Sequence, residues 1–227
     1  MRNKLKLAIL LLAVAGQAAL AQKSVYTTTG GEWMFSSANV TVSGANATSI
    51  IRFSPVFNFQ TQVHRDFSDK AGLMTGLGLR NVGFIYDDPF LANTRYKVRS
   101  YNIGIPIALK FGKMDGKYFF VGYELEIPIN YKQKTFVSDD KTGKFNEWFS
   151  ARTPSIYNTL FVGVQMPQGV QIKFKYYATN FFNQSYTTAD SSGALTSPYA
   201  NIKANVFYIS LSFQILKGTD FYYKHEK

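Results

Sequence analysis

The sequence predicts an all-β fold, namely an eight-stranded antiparallel up-and-down β-barrel that spans a membrane. Three observations support this prediction: long runs of strict apolar–polar alternation, connections that are alternately short and long, and an aromatic content of 16%. Alternation with a period of two is typical of strands rather than helices. The runs are also long, because a strand that crosses a bilayer needs about 9–11 residues and an ordinary globular strand about 5–6.

The clearest alternation lies between Arg99 and Tyr131. Large apolar side chains occupy the odd positions of 101–111, and small or polar side chains occupy the even positions. A turn is predicted at 113–117, after which 119–131 repeats the pattern. Both runs are long enough to cross a bilayer at a tilt, so they are the predicted fourth and fifth strands.

The other strands follow from weaker forms of the same alternation. Pro55 is expected to interrupt the second strand, since proline cannot donate to a ladder, and a bulge is expected near 81–83 in the third. In chain order the eight predicted strands cover residues 31–42, 49–63, 71–86, 99–111, 119–137, 155–166, 170–182 and 203–216.

The connections give a second line of support. Those at 64–70, 113–117 and 167–169 are short, whereas those at 87–96, 138–154 and 183–202 are long, and only 43–48 departs from this rule. Bacterial outer-membrane barrels have an even number of strands, short periplasmic turns and longer outer loops. We therefore expect both termini on the periplasmic side.

The first 21 residues are predicted to be a signal peptide. A basic start precedes an apolar run at 7–15 that is too short to span a membrane, and Ala19-Leu20-Ala21 fits the small-x-small cleavage rule. The alternative is a short membrane-anchoring helix. With the signal excluded, 22–227 is predicted to be the barrel domain of a protein exported to the cell outer membrane.

Composition restricts the chemistry further. The chain has no cysteine, which excludes a disulfide framework, a thiolate metal site, a cysteine nucleophile and the lipoprotein route. Removing the first 21 residues takes away three basic and no acidic residues, and the net charge falls from +11 to +8. In an exported protein this surplus favours anionic lipid headgroups or lipopolysaccharide phosphates as partners over nucleic acid.

The polar strand faces are predicted to line a packed interior, because eight strands enclose only enough room for their own side chains. Charges buried there must be paired. Two interpretations stay open: a proton or ion path, and a structural polar core. The predicted lumen charges are Glu32, Arg52, Arg80, Lys110, Glu124, Glu126, Lys132, Lys134, Lys173 and Lys175.

One register prediction concerns the two buried arginines. If the turn at 64–70 pairs Val63 with Ala71, Arg52 and Arg80 become diagonal neighbours on adjacent strands. Two adjacent cations in a packed interior require a carboxylate, which Glu32, Glu124 or Glu126 would supply.

No residue set predicts catalysis, a cofactor or a metal. His64 is expected in a periplasmic turn and His225 in the tail, so neither is placed to activate a nucleophile at the outer leaflet. The acid pairs Asp87-Asp88 and Asp139-Asp140 fall in predicted outer loops. They are either solvated or a weak divalent-cation contact.

Phe145, Trp148 and Phe149 form a predicted aromatic patch in the third outer loop. Such a patch either packs over the barrel rim, belongs to a membrane-interface belt, or binds a partner.

Several segments resemble a known family. The run GLGLRNVGF at 76–84, together with 99–106, 131–134 and 145–154, is similar to small Bacteroidota-type outer-membrane β-barrel proteins. The similarity covers roughly 32–216. In architecture this family is similar to OmpX-like and OmpA-transmembrane barrels and, more distantly, to PorT-like barrels. The resemblance implies an outer-membrane barrel and carries over no catalytic residues.

The functional hypothesis is a monomeric, non-enzymatic outer-membrane barrel. Its role would be structural, adhesive or that of a membrane-complex subunit, with outer-membrane lipid or lipopolysaccharide, and another envelope protein at the outer loops, as partners. The alternative is a soluble, exported, lipocalin-like barrel that binds an apolar ligand. The bulky, nearly uncharged apolar faces favour the membrane.

Overall fold

The computed structural model describes residues 25–189 and 192–217, which form an all-β barrel. The predicted signal peptide and the tail with His225 lie outside the described residues. A single 3₁₀ turn covers Pro167–Gly169. The strands are β1 (Val25–Val42), β2 (Ala45–Ile50), β3 (Arg52–Ser54), β4 (Phe59–Asp66), β5 (Ala71–Asp87), β6 (Thr94–Gly112), β7 (Tyr118–Val137), β8 (Asp140–Trp148), β9 (Tyr157–Gln165), β10 (Val170–Tyr177), β11 (Thr188–Ala189), β12 (Leu195–Thr196) and β13 (Ile202–Lys217).

Within the described residues these strands close into a ring of eight antiparallel barrel strands. The segments β2, β3 and β4 together make the second barrel strand, and β8 and β9 make the sixth. The ring closes where β13 pairs with β1, from Val42↔Ile202 to Thr28↔Lys217. The predicted fold is confirmed, and neighbours in sequence are neighbours in the ring throughout.

The second barrel strand is broken where Pro55 was expected to disturb it. Pairing with β1 stops after Ser54 and resumes at Phe59, and Phe57 between them has a φ of 60°. Proline lacks the N–H that a ladder needs, which accounts for the gap. The predicted turn at 64–70 is shorter than expected, because β4 continues to Asp66.

The end with the long connections departs from the prediction in two respects. The predicted loop at 138–154 contains β8, which pairs with β7 around a tight turn in which Ser138 and Asp139 have φ of 50° and 67°. The two strands form an extended hairpin. The predicted seventh strand ends early, at Tyr177, because the chain then turns inward and buries Phe181 and Phe182.

Two irregularities change which residues meet. Val63 pairs with Thr75 rather than with Ala71, so the predicted register between the second and third barrel strands is wrong by four residues. Tyr101 of β6 pairs with Asn130 of β7, whereas the next residue of β6, Asn102, pairs with Pro128. Ile129 of β7 is therefore unpaired, which is a β-bulge.

The bulge on β7 inverts the side-chain alternation beyond it. Tyr131, predicted to face lipid, is fully buried and opposite the buried Ser100. Lys132 is therefore directed outward, where it lies opposite Arg99. The prediction that Lys132 is a lumen charge is wrong for this reason, and Lys134, two residues on, faces outward with it.

Charged and polar side chains fill the middle of the barrel interior, and apolar side chains cover most of the outer wall. No helix among the described residues is long and apolar enough to cross a membrane. A continuous exposed apolar exterior combined with a charged interior is the pattern of a membrane-spanning barrel. Exposed apolar side chains of this exterior include Trp33 and Phe35 on β1, Phe53 on β3, Phe59 on β4, Leu77 on β5, Ile105 and Ile107 on β6, Phe119 and Val121 on β7, Leu160 on β9, Phe174 on β10 and Ile209 on β13.

Candidate functional site

The middle of the barrel interior holds a network of ion pairs centred on Arg80 of β5. The Arg80 guanidinium lies 2.9 Å from Glu32 Oε2 on β1 and 3.3 Å from Glu124 Oε1 on β7. It also donates a hydrogen bond of 3.1 Å to Gln60 Oε1 on β4. Because three different barrel strands meet at one side chain, Arg80 connects opposite parts of the wall.

Two lysines of β10 complete the network. Lys173 Nζ lies 2.9 Å from Glu32 Oε1, and Lys175 Nζ contacts Glu124 and lies 2.8 Å from Glu126 Oε1. The other oxygen of Glu126 accepts hydrogen bonds from the Asn102 amide at 2.8 Å and the Tyr177 hydroxyl at 2.5 Å. All six charged groups are nearly inaccessible to solvent.

The network is electrically balanced. Arg80, Lys173 and Lys175 contribute three positive charges, and Glu32, Glu124 and Glu126 contribute three negative charges. A buried charge without a partner is expensive, so a balanced set is what a closed interior requires. The sequence predicted these six residues as lumen charges, and the structure brings them together; their function stays a proposal.

Two glycines make room for this network. Gly78 on β5 and Gly104 on β6 are directly opposite each other. A Cβ at Gly78 would lie 2.8 Å from Arg80 Cζ, and a Cβ at Gly104 would collide with the Glu124 carboxylate. The small residues of the alternating pattern thus mark where large charged side chains cross the lumen.

A smaller polar cluster lies near the end with the short turns. Lys110 Nζ is 2.5 Å from Asp66 Oδ1, and it is 3.3 Å from the Tyr26 hydroxyl. His64 is buried in β4, where it stacks on Tyr26 with ring centroids 4.6 Å apart and shares a 2.8 Å hydrogen bond with Thr28. The predicted place of His64, in a periplasmic turn, is therefore wrong.

Arg52 does not join the network. Its guanidinium donates to the Asn81 backbone oxygen at 3.0 Å and to the Asn81 side-chain oxygen at 2.8 Å. These bonds cross the gap that the broken second barrel strand leaves. The predicted diagonal contact between Arg52 and Arg80 is wrong, since it depended on the incorrect register.

Aromatic side chains fill the interior between the network and the end with the long connections. They belong to β5, β7, β9, β10, β13 and the segment after β10, and Tyr157 donates to the Phe181 backbone oxygen at 2.8 Å. The fully buried members are Phe84, Tyr131, Tyr157, Tyr177, Phe181 and Tyr208.

The two predicted acid pairs approach one another through an arginine. Arg95 lies 2.7 Å from Asp87 and 3.4 Å from Asp139, and its hydrogen bond to Asp87 raises the pKa of Arg95. Among the residues described, no group of three or more His, Asp or Glu side chains is placed to hold a metal.

The predicted aromatic patch is divided by the alternation of β8. Phe145 faces inward, against the Tyr131 ring and beneath the Arg152 guanidinium at 4.2 Å. Trp148 and Phe149 face outward, with 63% and 78% of their surface exposed. The three residues thus lie on both sides of the wall and do not form one patch.

Sequence reasoning missed several members of the interior. Asp66 was assigned to a turn. Asn102 and Tyr177 are uncharged, and only the structure shows that both donate hydrogen bonds to Glu126. The sequence did contain a signal for Asn102: it is an even position of β6, like Lys110, so the alternation predicts that both side chains face the interior.

No known family model matches the sequence, and no curated protein matches it. Among solved structures, the chain is similar to the attachment invasion locus protein Ail of Yersinia pestis in complex with the heparin analogue sucrose octasulfate, at 9% identity over 85% of this chain and 99% of that one, with a TM-score of 0.37. Neisserial surface protein A matches at 11% identity, over 84% and 97% of the two chains, with a TM-score of 0.37.

The outer membrane protein OprG of Pseudomonas aeruginosa matches at 10% identity, over 89% and 98% of the two chains, with a TM-score of 0.36.

Proposed function

We propose that the chain is an integral outer-membrane β-barrel protein with a structural interior. It acts through its exterior and its outer-end hairpins, in a structural or adhesive role or as a subunit of a membrane complex. The observation that carries this proposal is the exposed apolar exterior around a ring whose interior holds a balanced set of buried ion pairs. Membrane barrels require this inside-out arrangement, since lipid faces the wall and no sheet edge is left open.

The interior supports a structural role better than an ion path. Three positive and three negative charges form ion pairs with one another, and the aromatic side chains next to them are fully buried. An ion path needs a group that exchanges partners with a passing ion, whereas each charge here already has a protein partner. We therefore assign the network to holding opposite walls together.

The soluble, lipocalin-like alternative requires an apolar interior cavity and a polar exterior. The middle of the described interior is occupied by Arg80, Lys173, Lys175 and their carboxylate partners, and buried aromatic side chains fill the part next to it. The exterior exposes phenylalanine, leucine and isoleucine along the ring. The charged middle and the apolar exterior are the reverse of what that alternative requires.

The outward hairpin of β7 and β8 supports the proposed contact role. Within the described residues β8 pairs with β7 alone, and Trp148 and Phe149 at the base of the hairpin are exposed large aromatic side chains. Aromatic residues of this kind serve either as membrane-interface anchors or as partner contacts.

The first experiment measures electrophoretic mobility of the mature chain, refolded in detergent micelles, with and without boiling. A heat-dependent shift, accompanied by β-type circular dichroism only when detergent is present, is the expected result. A chain that folds to a compact monomer in plain buffer would overturn the proposal. If the shift is seen, cross-linking from a cysteine placed at position 146 then tests whether an envelope protein contacts the hairpin.

A further inference from the structure

Five basic side chains cluster on the outside of the barrel wall, on three adjacent strands. Lys97 is directly opposite Lys134, which is directly opposite Lys144, and Arg99 is directly opposite Lys132. We call these five residues the exterior basic patch. The β7 bulge creates it, because it turns Lys132 and Lys134 from the lumen to the outside.

The cluster is unfavourable for the isolated protein. Directly opposite residues on antiparallel strands have Cβ atoms about 4.5–5.5 Å apart, and like charges in such pairs are destabilising. No ion pair joins any of the five to a carboxylate within residues 25–189 and 192–217. In contrast, Arg95, one position further along the same face of β6, is held between Asp87 and Asp139.

Desolvation and neighbouring positive charges both lower the pKa of two lysines of the patch. For Lys132 the neighbouring charges are first Arg99 and Lys144. For Lys97 they are first Arg52 and Lys134. A bound anion would offset the repulsive part, because it adds the opposite charge.

The height of the patch on the wall matches that of lipid headgroups. From Phe111 to Tyr101 the outward face of β6 is apolar or aromatic, and these ten steps rise about 34 Å along the strand, or about 26 Å across a membrane at a tilt of about 40°. The apolar band of such barrels is about 25 Å tall. Arg99 and Lys97 follow immediately beyond its edge.

An aromatic row marks that edge. Tyr101 is opposite Asn130, which is opposite Trp148, and the Tyr101 ring packs edge-on against Phe57 at 6.0 Å. The Arg99 guanidinium lies 5.5 Å from the centre of the Tyr101 ring. Tyrosine and tryptophan belong at the boundary between hydrocarbon and headgroups.

We propose that the exterior basic patch binds the phosphate groups of a phosphorylated glycolipid of the outer leaflet, whose acyl chains lie on the apolar face of β6 and β7. Two features favour a lipid over a soluble polyanion: the patch faces sideways from the wall, and it continues without a break into the lipid-facing apolar surface. The proposal rests on the membrane location proposed above and adds a ligand class and a site.

The test uses the full mature chain in detergent micelles and lipid A as the probe, with native mass spectrometry of the complex and a titration for the Kd. The variant is Lys132→Gln with Lys134→Gln and Lys144→Gln. The matched control removes three exposed lysines from the opposite end of the barrel, as Lys70→Gln, Lys113→Gln and Lys117→Gln. Each phosphate-contacting lysine is expected to be worth about fivefold in affinity, so the patch variant should bind on the order of a hundredfold more weakly.

The control variant should bind lipid A as the parent chain does, and dephosphorylated lipid A should bind the parent chain weakly. Equal binding by the patch variant and the control would overturn the proposal, as would undiminished binding of the dephosphorylated lipid. Binding of sucrose octasulfate to the patch with an affinity equal to that of lipid A would show a general polyanion surface and would also overturn it. Heat-modifiable mobility is measured on every variant, so failure of the site is distinguished from failure of the membrane location, which would overturn both proposals.

Discussion

Removing Arg80 from the interior network should cost far more stability than removing an exposed arginine with similar contacts. Arg80 pairs with Glu32 at 2.9 Å and Glu124 at 3.3 Å and is about 1% exposed. In Arg80→Met both carboxylates remain buried with one cation fewer. Breaking a buried pair from one side costs about 3–5 kcal/mol, which is a large part of the 5–15 kcal/mol typical of a folded domain.

Arg95→Met is the matched control, because Arg95 also bridges two carboxylates. Its side chain is 42% exposed, and its partner Asp139 is 91% exposed. Ion pairs of this kind contribute about 0–1 kcal/mol. The assay is urea unfolding of the refolded protein in lipid vesicles, followed by tryptophan fluorescence and by the fraction that keeps heat-modifiable mobility.

A double variant tests the balance of charge directly. Arg80→Met combined with Glu124→Gln removes one charge of each sign and leaves Lys173 beside Glu32 at 2.9 Å and Lys175 beside Glu126 at 2.8 Å. The double variant should therefore be about 1–3 kcal/mol more stable than the sum of the two single effects predicts.

Strict additivity of the two substitutions would refute the reasoning, since it would mean that the charges do not compensate one another. So would a loss in Arg80→Met no larger than that in Arg95→Met. In that case Arg80 would be no more than a space-filling side chain.

Three further predictions test the wall. Gly104→Ala should lower the free energy of unfolding by about 1–3 kcal/mol, because the added Cβ meets the buried Glu124 carboxylate. Gly116→Ala, which has open space around it, should change that free energy by less than about 0.5 kcal/mol. Equal effects of the two substitutions would contradict the packing. Ile107→Lys should cost about 2–4 kcal/mol in vesicles if Ile107 faces the bilayer centre, while Gly116→Lys in the turn should be nearly neutral, and a tolerated lysine at 107 would argue against a lipid-facing wall. In variants that keep one tryptophan, the fluorescence of Trp33 should be quenched best by lipids with bromine atoms deep in the acyl chains, and that of Trp148 by lipids with bromine atoms near the headgroup. Identical depth profiles would contradict the membrane boundary drawn at Tyr101.

The fold was predictable because alternation and connection length are local properties of the sequence. The faces of β6 followed directly from odd and even positions, and so did the inward placement of Lys110 and of Glu124 and Glu126 on the first part of β7. The partners of each charge were not predictable. Pairing depends on register, and the turn before β5 is shorter than the polar run at 64–70 suggested, which shifted the pairing of the second and third barrel strands by four residues.

The case of Lys132 shows why one unpaired residue matters so much to function. Period-two reasoning carries an assignment along a strand only as far as the next bulge, after which every side chain changes face. Before the β7 bulge, Glu124 and Glu126 meet their cations inside the barrel. Beyond it, Lys132 lies outside between Arg99 and Asn146, and Lys134 lies outside between Lys97 and Lys144. The six charges of the network already balance one another, so two more lysines in the interior would be buried without a carboxylate partner. The bulge thus divides the strand into two parts: the inner part carries the carboxylates of the interior network, and the outer part carries two lysines of the exterior basic patch.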